Sequence, residues 1–187
     1  MEAGRKRRGA CLGPFARREH AVCGWRVFTR IGAGSRNFLA ALDSTTGDVT
    51  DWDPDPDAEV LALALSEDGN ALYVSGHFTY IGGWLHEGMA AFYVETGGTM
   101  NWDPAPKLTH NGIDFFPGQV HTMWVSGGLV YAGGRFTSIG GQNRAGLAAL
   151  DATTGLATAW DPNVLLRDGL VYTRGFAYAI WVSDGLV

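Results

Sequence analysis

The stretch Asp51-Trp52-Asp53-Pro54-Asp55-Pro56-Asp57-Ala58-Glu59 places acids at every second position, a spacing at which hard oxygen ligands can wrap calcium. The glycine that a tight calcium loop needs is missing, and two prolines stiffen the backbone. Two later segments of the same kind read Asn101-Trp102-Asp103-Pro104-Ala105-Pro106-Lys107 and Ala159-Trp160-Asp161-Pro162-Asn163. Only the acid after the tryptophan recurs, so the stretch reads as an acidic linker; no cofactor is expected, calcium being the one candidate. The histidines give no ligand spacing. His77 stands in register with Arg135, and His86 with Arg36 and Arg144. A position that accepts either Arg or His reads as an exposed, donor-bearing spot. His121 reads as a near-core imidazole, and the three or four converging ligands that zinc needs are not to be found. There is no Gly-x-Ser-x-Gly elbow and no glycine-rich phosphate loop ahead of a helix. Glu87 and Asp114 could serve as the two carboxylates of a glycosidase only if tertiary folding brought them face to face.

The elements that carry these residues follow from composition and repetition. The chain has 187 residues with 27 glycines, 46% hydrophobic and 18% charged, which suits many tight turns between buried strands and argues against a coiled coil or a disordered chain. No run approaches the roughly 18 apolar residues of a membrane span. Residues 1–30 hold eight Lys/Arg and two acids, whereas residues 31–187 hold six Lys/Arg and seventeen acids. The acidic body repels phosphate backbones, so no nucleic acid partner is expected. The basic start lacks a following apolar stretch, so no signal peptide is expected, and Cys11 and Cys23 read as an unrelated pair of thiols.

Three segments repeat. Phe28-Thr29-Arg30-Ile31-Gly32, Phe78-Thr79-Tyr80-Ile81-Gly82-Gly83 and Phe136-Thr137-Ser138-Ile139-Gly140-Gly141 each precede a Trp-Asp-Pro by the same interval, 24 residues from Phe to Trp, with a period of 50 and then 58 residues. Between them lie Leu39 to Gly47, Met89 to Gly97 and Leu147 to Gly155, all ending in Thr-Gly. Each full period predicts four short strands: strand a over Val60 to Leu65 or Val120 to Val125, b over Ala71 to Phe78 or Leu129 to Phe136, c over Gly88 to Val94 or Gly146 to Leu150, and d ending at the tryptophan. The glycine pairs supply positive φ, and the Asp-x-Thr-Thr-Gly turn lets short side chains bond the nearby backbone. Four strands at this period predict an all-β fold built of β-propeller blades. A ring as large as Trp52, Trp102 or Trp160 recurring with the period reads as a docking group between blades.

Phe-Thr-x-Ile-Gly-Gly followed by Leu-Ala-x-Leu-Asp resembles the delta-sixty-repeat type of bacterial β-propeller, over residues 28 to about 162 with a further start at 179–187. That resemblance implies an extracellular or cell-surface location. Ala41-x-Asp43-x-x-Thr46-Gly47 with Trp52 also resembles the tryptophan-docking motif of quinoprotein propellers, with four residues rather than three between Gly and Trp. Ser66-Glu67-Asp68-Gly69 resembles the sialidase Asp-box but is one residue short, and reads as a hairpin turn.

The expected organisation is an irregular, basic, non-repeat head over residues 1–24, disordered or foreign to the fold, and an incomplete propeller of about three blades over 25–187. Its units are 25–57 (strands c and d only), 58–107, 118–163 and a truncated 177–187. Further blades or self-association are expected to cover the open blade faces. Because strands alternate in direction, the b–c and d–a connections must share one rim. The longer and more varied loops lie there, so His86, Lys107, His110, Asp114, Arg144 and Arg167 form the expected binding face. The expected role is a non-catalytic binding or structural module for a protein or glycan. The alternative is a fragment of a quinoprotein-like oxidoreductase or propeller glycosidase.

Overall fold

A computed structural model of the chain describes residues 10–12, 20–24, 30–31, 34–110, 113–115, 117–162, 165–168, 171–174 and 180. The described residues form strands, turns and loops with no helix, and so no helix long and apolar enough to cross a membrane.

In the first blade, β1 (Ala10–Leu12), β2 (His20–Gly24) and β5 (Leu39–Asp43) form an antiparallel sheet, with a small ribbon of β3 (Arg30–Ile31) and β4 (Gly34–Ser35) between the last two. The second blade repeats the plan with β6 (Val60–Leu65), β7 (Ala71–Gly76) and β10 (Met89–Tyr93), and its ribbon is β8 (Tyr80–Ile81) with β9 (Trp84–Leu85). A hairpin of β11 (Leu108–His110) and β12 (Ile113–Phe115) leads into the third blade. That blade is β13 (Gln119–Ser126), β14 (Leu129–Arg135) and β17 (Leu147–Asp151), with the ribbon β15 (Ser138–Ile139) and β16 (Gln142–Asn143). A second hairpin, β18 (Leu165–Asp168) with β19 (Val171–Arg174), follows. The further start at 179–187 lies, apart from Ile180, outside the described residues.

Strand d is the weakest of the four. It meets strand c through one bridge in each blade, Leu42 with Val49, Phe92 with Thr99 and Leu150 with Ala157. A neighbouring hydrogen bond extends each: Thr50 N–H to the Ala41 carbonyl, Met100 to Ala91 and Thr158 to Ala149. The proline after each Trp-Asp cannot donate to a ladder, and pairing stops there.

The first blade corrects the sequence expectation. It does not consist of strands c and d alone, because β2 pairs with β5 and β1 pairs with β2; the sheet therefore reaches back to Ala10, inside the stretch expected to be foreign. Register explains the mismatch. Gly24 stands opposite Leu39 as Ser75 stands opposite Met89 and Gly133 opposite Leu147. Counting back the 50-residue period from Ser75 gives Trp25, one residue too far. A one-residue slip exchanges the two faces of a strand, and that is why the sequence match failed. The same register sets Cys11 opposite Cys23.

Two buried cores hold the blades together. One joins the first blade to the second through Val22, Leu39, Val60, Leu72, Val74, Phe78 and Phe92. The other joins the second to the third through Tyr73, Met89, Trp102, Val120, Phe136 and Leu150. Strand β6 lies against both β1 and β13, so the first strands of successive blades face one another, as propeller geometry requires.

Candidate functional site

Two of the recurring tryptophans, Trp52 and Trp102, dock their blade onto the next. The Trp52 indole N–H donates to the Gly97 carbonyl at 3.0 Å, and the Trp102 N–H to the Asp151 carbonyl at 3.1 Å. Both acceptors lie at the end of strand c of the following blade, Gly97 in the turn after β10 and Asp151 as the last residue of β17. Gly97 has φ +70°, and a Cβ there would lie 2.5 Å from Trp52 Cδ1, so only glycine admits the indole. Asp151 builds its turn by accepting the N–H of Thr153 at 3.0 Å and of Thr154 at 2.7 Å; bonds from the Thr154 backbone, then its hydroxyl, hold that carboxyl below the usual range. Asp43 does the same with Thr45 and Thr46. Tyr93 occupies this place in the second blade and has no carboxylate to offer.

Within their own blades two of the three tryptophans pack on a strand-b tyrosine. Trp102 packs on Tyr73 with ring centroids 4.9 Å apart, and Trp160 on Tyr131 at 5.6 Å. Tyr73 also donates its hydroxyl to the Ala152 carbonyl of the third blade at 2.9 Å, and Trp102 is 0% exposed. Burial first, and then the charges of Asp68 and Asp151, hold the Tyr73 phenol above its usual range. In the first blade the register position of Tyr73 is taken by Val22. Trp52 is only half-buried, packs edge-on against Phe92 at 5.4 Å, and borders a cleft of about 470 Å³.

The shared rim is present in the structure. The Lys107 N–H donates to the Ser138 carbonyl, the Gly82 N–H to Pro54 and the Gly140 N–H to Pro104, so the d–a connections lie on the b–c loops. Gly140 is needed here: its φ is +58°, and a Cβ would lie 2.4 Å from the Ala157 nitrogen.

The Arg/His position on this rim is not an exposed one, contrary to the sequence expectation. The Arg36 guanidinium folds back to donate to the Thr50 carbonyl at 2.7 Å and lies 3.4 Å from Asp53. Arg144 repeats this, with the Thr158 carbonyl at 2.6 Å and Asp161 at 3.6 Å. Each arginine thus latches the end of strand d to the b–c ribbon. His86 sits in the corresponding place and is 7% exposed, but its Nδ1 has no hydrogen-bond partner among the described residues. Burial lowers its pKa, opposed by the Asp103 carboxylate. Lys107 is half-buried. His110 and Asp114 lie on the β11–β12 hairpin, and Arg167 on β18, opposite Tyr172. The structure therefore brings Lys107, His110 and Asp114 to one connection and gives His86 and Arg144 a place in the fold itself.

The alternating acids do not converge. Asp53 faces Arg36, Asp55 accepts from Asn37 at 2.7 Å, Asp57 accepts the Thr79 and Tyr80 N–H groups, and Glu59 lies 2.6 Å from His77 Nδ1. Among the described residues no three His, Cys, Asp or Glu side chains group as a metal site would need. Ser66-Glu67-Asp68-Gly69 closes the β6–β7 hairpin: Ser66 Oγ donates to Asp68 at 2.6 Å, and Asp68 accepts the Asn70 N–H at 3.0 Å. The Ser66 hydroxyl, followed by Asn70, lowers the Asp68 pKa.

Two features escaped the sequence reading. The β8–β9 ribbon exposes Trp84 at 66%, beside exposed Tyr80 and Leu85. Its counterparts are Gly34 and Gln142 for Trp84, and Arg30 and Ser138 for Tyr80, so only the second blade carries aromatics there. The other is the cleft beside Trp52. No family model matches the chain, and no curated protein matches it.

Proposed function

We propose that this chain is a non-catalytic propeller segment of the delta-sixty-repeat kind that binds a protein or a glycan through the rim shared by its b–c and d–a connections. The observation that carries the reading is the β8–β9 ribbon. Trp84 and Tyr80 stand in solvent on a two-stranded ribbon whose base is tied down, since the His86 N–H donates to the Thr79 carbonyl and the Asp57 carboxylate accepts the N–H of Thr79 and Tyr80. Exposed aromatics on a fixed backbone lose little entropy on binding and supply the large flat contact that protein and sugar faces require. The polar groups that repeat with the blades are used by the fold: arginines latch strands, aspartates build turns and indoles dock blades. That division of labour favours a scaffold with a binding ribbon over the alternative of an oxidoreductase or glycosidase fragment.

The test is a panel of oligosaccharides and peptides titrated onto the chain by calorimetry, with Trp84→Ala and Tyr80→Ala beside the parent. The reading expects at least one panel member whose affinity falls about tenfold or more in both variants, the size of a single interface anchor. If every panel member that binds the parent binds both variants equally well, the ribbon has no such role.

A further inference from the structure

The three blades are near-copies, so a side chain present in two and missing from the third leaves a space whose shape is known. Strand b carries Tyr73 in the second blade, Tyr131 in the third and Val22 in the first, each opposite an alanine of strand c: Ala91, Ala149 and Ala41. The Tyr73 ring covers Trp102, and its hydroxyl reaches the Ala152 carbonyl of the next blade. Where Val22 stands, the indole of Trp52 is left half-open. The cleft beside it measures about 470 Å³ and is lined by Val22, Ala41, Trp52, Leu72, Phe92 and Val94, among others, a volume within the range of about 300–1,000 Å³ typical of small-molecule sites. The counterpart of Ala152 is Val94; both donate their N–H to the a–b turn, Ala152 to Gly128 and Val94 to Asn70. The Val94 carbonyl accepts no hydrogen bond among the described residues.

We infer that the cleft between the first and second blades is a binding site for a small phenol, which takes the place that Tyr73 fills one blade further on. The ring lies against Trp52 over Ala41 and Leu72, in the inclined, edge-on manner of Tyr73 on Trp102. The hydroxyl donates to the Val94 carbonyl, as that of Tyr73 donates to Ala152. Asp51 and Glu95 are exposed at the same cleft, so a phenol carrying a cationic arm is preferred to one carrying an anionic arm. The cleft shares no residue with the Tyr80–Leu85 ribbon, and this inference does not rest on the function proposed for that rim.

The probes are p-cresol, tyramine, 4-hydroxyphenylacetate and toluene, each titrated onto the full chain and followed by saturation-transfer NMR. A ligand this small binds in roughly the millimolar range. Tyramine is expected to bind at least as tightly as p-cresol. Toluene, without the hydroxyl, and 4-hydroxyphenylacetate, with the wrong charge, are each expected to bind about tenfold more weakly. Val22→Tyr fills the site from within: p-cresol binding is lost, and Trp52 emission shifts to the blue. The parent protein's preference for p-cresol over toluene stands as a test even if that variant fails to fold. The inference is overturned by p-cresol binding that survives in a folded V22Y protein, by equal affinity for toluene, or by no binding of p-cresol up to about 10 mM.

Discussion

Removing the Trp102 ring tests the docking of blades where it is tightest. Trp102 is wholly buried, packs on Tyr73 at 4.9 Å and satisfies the Asp151 carbonyl at 3.1 Å. Truncating a buried aromatic to alanine costs about 3–5 kcal/mol; the Asp151 carbonyl keeps the Gly155 N–H at 2.9 Å, so Trp102→Ala loses the ring's packing and one of two hydrogen bonds, about 4 kcal/mol together. Trp52 is half-buried, lacks a tyrosine beneath it and meets Phe92 only edge-on. Trp52→Ala is therefore expected to cost about half as much, roughly 2 kcal/mol. Trp102→Phe keeps an apolar ring but loses the N–H; the Asp151 carbonyl still accepts from Gly155, so the cost is that of one hydrogen bond, about 0.5–1.5 kcal/mol. In urea, with a slope of about 2 kcal/mol/M, the midpoint of W102A falls by about 2 M and that of W52A by about 1 M. Equal shifts for the two alanine variants, or a shift below about 0.5 M for W102A, would refute the view that Trp102 holds the second blade to the third.

Three further outcomes follow from the same geometry. His86→Arg should complete the latch that Arg36 and Arg144 make, raising stability by about 1–2 kcal/mol in urea unfolding. It should also remove a pH dependence. Burial holds the folded-state pKa of His86 below its unfolded value, so its contribution is fully present above the ordinary histidine range near 6.5 and is lost as pH falls through it; the parent loses stability in that window and H86R does not. Arg144→Ala leaves the Thr158 carbonyl without its 2.6 Å donor and should cost about 1.5–3 kcal/mol, of which Arg144→Lys recovers less than half, because an ammonium cannot reach two acceptors in one plane. Ala105 sits between prolines at φ +41°; relieving about 1–2 kcal/mol of left-handed strain against about 0.5–1 kcal/mol of glycine entropy, Ala105→Gly should gain about 0.5 kcal/mol, read as a small rise in Tm.

Much of the architecture was legible because it depends on groups that must recur. An indole that docks on the next blade has to return at fixed spacing, so the 24-residue interval from Phe to Trp announced both blade and interface. The glycines of the Ile-Gly-Gly loops and the Asp-x-Thr-Thr-Gly turns were readable for the same reason: each has a local backbone duty. What escaped depended on register or on a long side chain's reach. The second strand of the first blade is displaced by one residue, and that displacement puts Cys23 where a face-for-face match expected tyrosine, with Val22 the true counterpart of Tyr73. The Arg/His alternation was visible, but its meaning was not, since nothing in the sequence says that a guanidinium turns inward to the carbonyl of residue 50 or 158. Trp84 carries no repeat signal, and only its 66% exposure sets it apart from the buried Trp102.

The most direct measurement is proton exchange at the indole N–H groups, resolved by NMR and assigned with single Trp→Phe variants. If the blades dock through tryptophan, the Trp102 N–H exchanges slowest, the Trp52 N–H at an intermediate rate and that of solvent-exposed Trp84 fastest. A Trp102 indole that exchanges as quickly as Trp84 would contradict the account at its centre.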